Sequence, residues 1–147
     1  MGIYNSIEVS ASGLSAERLA MDVIANNIAN VNTTRTAEGG PFKRQLVVFA
    51  QKNEAPAAGA DPANADPSAA QAGVQAVGIV NDQSPDRLVY DPTHPDADGR
   101  GYVHMPNIDV VKEMVDMMAA SRAYEANVTA IQEARAMGTA TLGLLKA

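Results

Sequence analysis

Between positions 91 and 104 the sequence gathers Asp91, His94, Asp96, Asp98 and His104. Carboxylates and imidazoles at this density are the donor set of a divalent-metal site or a metal-dependent hydrolase. The spacing argues against both. An EF-hand loop needs a third acid before its Gly and a distal Glu, and Asp98-Gly99 has neither. The histidines are interleaved with Asp91-Pro92, His94-Pro95 and Asp98-Gly99-Arg100-Gly101, which favour successive turns. Turn formation is therefore the expected role, and no metal, cofactor or catalytic residue is expected. A Ser-His-Asp order, a phosphate loop and zinc-ligand spacing are all missing. With no Cys there are no thiol nucleophiles, thiolate ligands or disulfides.

A second cluster, Asn26, Asn27, Asn30 and Asn32, holds four amides within seven positions. Amides at a helix end satisfy backbone groups locally. Buried between packed helices they fix register at some cost in stability. Which role applies depends on the elements that carry them.

Residues 3 to about 31 read as one helix. Ile7, Leu14, Met21 and Ile28 are seven apart, and Ile3, Ile24 and Val31 fill the same stripe. Ser12 and Ser15 are candidate local caps, and Gly13 lowers helix propensity by about 1 kcal/mol, so a break near 10–13 is allowed. A second face, Val9, Ala16, Leu19 and Val23, points roughly the opposite way, beside Asn26 and Asn30. Residues 108 to about 145 read as a longer helix. Val110, Met117, Tyr124 and Ile131 are again seven apart, joined by Met114, Val128, Leu142 and Leu145. Its second face is Ile108, Val111, Val115 and Met118. Asn107 is the candidate N-cap, and Asp109 and Glu113 suit the positive end of the helix dipole.

The middle differs. Asn32-Thr33-Thr34 and Gly39-Gly40-Pro41 stop the first helix. Phe42 to Ala50, Val74 to Val80, Arg87 to Tyr90 and Tyr102-Val103 read as short strands. Residues 51–73, rich in Ala, Pro and Asp, read as a flexible insertion.

The 147 residues are 46% apolar, but only six are aromatic and none is Trp; seven Met supplement the aliphatics. Few aromatics weaken the case for a deep ligand pocket, whereas aliphatic and Met packing suits helix seams. A net charge of −6 without a basic cluster disfavours nucleic acid and anionic lipid. No apolar run is long enough to span a bilayer, and no cleaved signal peptide is visible. The expected fold is mainly α with a small β-rich middle, divided as 1–34, 35–106 and 107–147. The terminal helices would form an antiparallel, coiled-coil-like pair. At 1.5 Å per residue they reach about 40 and 55 Å, too long for a compact domain of this size. If the two main stripes pair within one chain, the second faces remain for neighbours. Met114, Met117, Met118 and Met137 would suit irregular seams between unlike partners.

The segment Ser12-Gly-Leu-Ser-Ala-Glu-Arg-Leu-Ala-Met-Asp-Val-Ile-Ala-Asn-Asn-Ile-Ala-Asn-Val-Asn-Thr-Thr34 resembles the N-terminal motif of bacterial flagellar rod and hook axial proteins. Gly39-Gly-Pro-Phe-Lys-Arg44 resembles the rod branch, as do Tyr90 to Asp98, Gly101-Tyr-Val103 and Pro106 to Val111, and the C-terminal Glu113-Met-Val and Ser121 to Asn127 are similar to the same family. Residues 51–73 match no motif of the family. The resemblance implies a structural subunit with terminal helices in an inner layer, exported without a cleaved signal into the periplasmic rod. It also implies assembly with copies of itself, other rod proteins, the rod–MS-ring junction protein and the type III export apparatus. The interface would include Ile7, Leu14, Leu19, Met21, Val23, Ile24, Asn26, Asn27, Ile28, Asn30 and Val31. On the second helix it would include Val110, Val111, Met114, Val115, Met117, Met118, Tyr124, Val128, Ile131, Leu142 and Leu145. A soluble coiled-coil adaptor or export chaperone is the alternative, and it would favour charge-rich outer helix faces. A hydrolase using the His/Asp cluster is a third, and it would carry stoichiometric metal.

Overall fold

A computed structural model describes residues 3–52 and 73–144. The flexible insertion expected at 51–73 falls almost wholly on residues 53–72, outside the described residues, as does Leu145. Two helices bracket two small sheets. In order they are α1 (Ile3–Ala29), β1 (Gln45–Lys52), β2 (Gly73–Asn81), β3 (Arg87–Tyr90), β4 (Tyr102–Met105) and α2 (Val110–Leu144).

Helix α1 does not break near Gly13. Ser12 and Ser15 are not caps: their hydroxyls donate back to the Val9 and Ser12 carbonyls, at 2.7 and 2.8 Å, inside a continuous helix. The helix ends where Asn30 N–H is shared between the Asn26 and Asn27 carbonyls, at 3.1 and 3.2 Å. The chain then reverses through Gly39 and Gly40, whose φ of 87° and 79° only glycine adopts without strain.

The N-cap of α2 is Asp109 rather than Asn107. Asp109 Oδ1 accepts from Val111 N–H at 3.0 Å, and its carbonyl accepts from Glu113 N–H at 3.0 Å. The Asn107 side chain is engaged elsewhere, accepting from Arg44 N–H at 3.0 Å.

The helices pack antiparallel. Asn27 Nδ2 donates to Glu113 Oε2 at 3.0 Å, and a Cβ on Gly13 would lie 2.9 Å from Asn127 Nδ2. Both contacts fit one register, which places Ala20 opposite Ala120. The non-exposed residues of α2 include Glu113, Met117, Ala120, Tyr124, Asn127, Ile131 and Ala134, alternately four and three apart. Their counterparts on α1 are Gly13, Ala16, Ala20, Val23 and Asn27. A seam of small residues lets two backbones approach closely. In this register α1 starts opposite residue 137, so the last turns of α2 extend beyond it.

Strands β1 and β2 form an antiparallel ribbon, pairing Leu46 with Val80 and Val48 with Gly78. The register then shifts to Phe49 with Ala76, leaving Val77 as a bulge. The ribbon lies along α1. Its Gln45 end is bonded to Asn27, and at the other end Ser12 Oγ accepts from Val74 N–H at 3.0 Å while Lys52 pairs with Glu8 at 3.6 Å. The lengths match: seven strand steps and fifteen helix steps each cover about 23 Å. Strands β3 and β4 pair antiparallel, with the Tyr90 and Tyr102 rings edge to face at 5.3 Å.

Candidate functional site

The helix faces and the junction between them are where function can reside, and they differ in chemistry. At the junction, the end of α1, the start of β1 and the start of α2 converge on Glu113, which is wholly buried. A buried carboxylate must be paired and hydrogen-bonded. Arg44 Nε donates to Glu113 Oε1 at 2.6 Å, and Asn27 Nδ2 donates to Oε2 at 3.0 Å. The other edge of the guanidinium reaches Asp116 Oδ2 at 3.3 Å, nearer solvent. Asn27, 1% exposed, also exchanges two hydrogen bonds with the Gln45 backbone, each 2.9 Å. Asn30 stays local, donating to the Asn26 carbonyl at 2.9 Å, whereas Asn26 reaches the start of β1 and donates to Gln45 Oε1 at 3.1 Å. The cluster therefore caps the helix end and also supplies one buried interhelical contact.

Sequence reasoning placed Glu113 as a dipole partner within a motif and Arg44 within another motif, and did not pair them. The usable signal was heptad position: Glu113 falls seven before Ala120 and fourteen before Asn127, on the seam line.

Among the expected interface residues, Val23 and Asn27 are buried within the chain. Ile7, Leu14, Leu19, Met21, Ile24, Ile28, Asn30 and Val31 are half-buried, as are Met117, Tyr124, Val128 and Ile131. Asn26, Val110 and Leu142 are exposed. On α1 the more deeply buried face is the one carrying Ala16 and Val23, not the Ile7–Leu14–Met21–Ile28 stripe. Together on the outer side of the first turns of α2 stand Val111, 70% exposed, and Met114, Val115 and Met118, each about 55%. Their i, i+3, i+4, i+7 spacing makes one continuous apolar stripe.

The His/Asp cluster forms turns. Asp91 Oδ1 accepts from Thr93 Oγ1 at 2.7 Å and Thr93 N–H at 3.1 Å. Asp98 Oδ1 accepts from Arg100 and Tyr102 N–H, at 2.8 and 2.9 Å. These bonds hold the Asp91 and Asp98 carboxyls below the usual carboxylate range, led by the Thr93 hydroxyl and the Tyr102 amide respectively. His94 Nδ1 accepts from Asp96 N–H at 3.1 Å, and Thr34 Oγ1 donates to Asp96 Oδ2 at 2.8 Å. His104 instead faces Asp86 at 3.7 Å, and Asp86 also pairs with Lys43. Among the described residues no group of three or more His, Cys, Asp or Glu is placed to hold a metal ion.

Comparison with known proteins bears on both helices. Residues 7–35 match the family described as flagella basal body rod protein, and residues 100–144 match the C-terminal family of the flagellar basal body rod FlgEFG proteins. Over almost the whole of both chains, 99% of each, the sequence is 47% identical to flagellar basal-body rod protein FlgC of Borreliella burgdorferi. It is 42% identical to FlgC of Bacillus subtilis, covering 93% of this chain and 94% of that one. To FlgC of Escherichia coli O6:H1 it is 39% identical, covering 98% of each. Similarity of this degree runs from the first helix through the junction to the last, and with it the chain belongs to the FlgC family of flagellar basal-body rod proteins, structural components of the flagellum.

Proposed function

We propose that the chain is a proximal-rod subunit that polymerises through its terminal helices into a helical tube. The tube would transmit motor torque and conduct exported subunits. The observation that carries this reading is the apolar stripe Val111–Met114–Val115–Met118 on α2. It lies on a helix whose other side is already packed on α1. Covering what remains exposed is worth on the order of 1 kcal/mol per residue. A heterologous contact that does not close into a ring generates a helix of subunits, as a tube requires. The seam spacing supports a coiled-coil-like axial core made of segments 1–34 and 107–147, with 35–106 turned outward.

Partners in this reading are copies of the chain, other rod proteins, the rod–MS-ring junction protein and the type III export apparatus. The rod segment would stand in the periplasmic space, reached without a cleaved signal. The interface comprises the exposed α2 stripe with Val110 and Leu142, and the half-buried Ile7–Leu14–Met21–Ile28 stripe of α1. An adaptor or chaperone role would favour charged outer faces, which the stripe on α2 is not. No catalytic role is assigned.

The test is Val111→Asp combined with Val115→Asp. Both side chains point away from α1, so the subunit should still be made, folded and exported. Rods should fail to assemble and cells should not swim. Normal swimming would remove the reading's main support.

A further inference from the structure

The α1 side of the seam is small over most of its length. Ala16 and Ala20 on one side, Ala120 and Ala134 on the other, are interchangeable methyl groups, and the larger Met117, Tyr124 and Ile131 of α2 are only half-buried between them. Sliding one helix past the other by a heptad, about 10.5 Å, would again set small residues opposite one another. Apolar packing therefore discriminates poorly between registers. Position-specific marks are needed, and Glu113 has the properties of one.

We infer that Glu113 is the specificity-determining residue of the helix pair, selecting the single register in which each of its carboxylate oxygens meets a donor from a different element. Oε1 takes Arg44 Nε, which is carried by the segment entering β1, and Oε2 takes Asn27 Nδ2 from α1. Neither donor can follow a slide of α2. Asn27 is held to the Gln45 backbone by two hydrogen bonds, and Arg44 N–H and C=O are bonded to Asn107 Oδ1 and Asp82 N–H. After a one-heptad slide towards the α1 N-terminus Glu113 would be a buried carboxylate facing Ala20, and Arg44 would lose it as a partner. This is the way a buried polar side chain specifies register in paired helices. The close contact of Gly13 with Asn127, two heptads away, is a weaker second mark because the amide is flexible.

The inference does not depend on what the chain assembles with. The sequence has no Cys, so introduced pairs report register without background. In the full-length chain, Ala20→Cys with Ala120→Cys reports the observed register, and Ala16→Cys with Met117→Cys reports the one-heptad slide that sets Glu113 opposite Ala20. With the junction intact the first pair should oxidise at least 100-fold faster than the second. Arg44→Met with Glu113→Leu removes both charges at once, leaves Asn27 bonded to Gln45, and frees only the partly exposed Asp116. In that background the slid pair should speed up at least 20-fold. If helical circular dichroism is retained and the slid pair stays 100-fold slower, register is set elsewhere and the inference fails. If the double variant loses its helical signal, Glu113→Gln decides. It keeps side-chain volume but offers Arg44 an uncharged acceptor, and should speed the slid pair at least fivefold. No change there would overturn the inference equally.

Discussion

The two sides of α2 invert the usual arrangement of a small protein. Towards α1 it presents Glu113, Ala120, Asn127 and Ala134 with the half-buried Met117, Tyr124 and Ile131; away from α1 it presents Val111, Met114, Val115 and Met118. Among the described residues the buried apolar side chains are few and modest in size, Val23, Val103, Pro106 and Ile108 beside Ala16, Ala120 and Ala134. In the first turns of α2 the larger apolar groups other than Met117 stand outside. Close approach and polar matching hold the chain's own helices together, while most of the burial available from large side chains is left for other surfaces. The intramolecular seam is built for position and the outer stripe for affinity.

That contrast can be broken most forcefully at the junction. Arg44→Ala leaves Glu113 buried without its cation and should cost about 3–5 kcal/mol, read from urea unfolding of the isolated chain. Ala120→Leu overpacks a seam made for methyl groups and should cost about 1–3 kcal/mol in the same measurement. Val115→Asp is the converse case. It should change the stability of the isolated chain by no more than about 0.5 kcal/mol yet prevent rod assembly in cells. A large stability loss from Val115→Asp, or none from Ala120→Leu, would erase the distinction between the two sides.

Smaller effects belong to the turns. Asp82, Asp91 and Asp98 have carboxyls held below their ordinary values by hydrogen bonds, with Ser84 the leading donor for Asp82. A lowered folded-state pKa means that the charged form is the stabilising one. That contribution is complete above the unfolded value near 3.8 and fades as pH falls below it. The turns should therefore be unchanged from pH 7 to 5 and loosen only below about 4. Amide exchange at Arg100 and Tyr102 checks this, and Asp98→Ala should raise it at neutral pH. Lys52→Ala, at an exposed ion pair with Glu8, should move stability by no more than about 0.5 kcal/mol and leave assembly intact.

Both helices were legible because large apolar residues recur at seven-residue intervals, and the four strands because β-branched runs sit between turn-forming residues. Which face of α1 packs most deeply within the chain was not legible. Hydropathy weighs Ile7, Leu14 and Met21 above Ala16 and Ala20, whereas close helix packing selects the small ones. The cap of α2 was missed for a related reason: Asn107 and Asp109 are equally good caps by type, and only the demand of Arg44 N–H for an acceptor distinguishes them. The Arg44–Glu113 pair spans 69 residues, and no local pattern links its ends.

The span of those contacts also sets an order of events as the chain folds. Asn27 and Glu113 are 86 residues apart, and closing a loop of that length carries an entropic cost before any contact offsets it. A chain emerging N-terminus first presents α1 and Arg44 long before Glu113 exists to receive them. Until then α1 has only the β1–β2 ribbon to pack on, and before that ribbon forms it is a lone helix, marginal in water. The first three quarters of the sequence can form the local ribbon but cannot complete the junction. Completion waits for the last quarter, so the polypeptide remains slack through most of its emergence and tightens at the end.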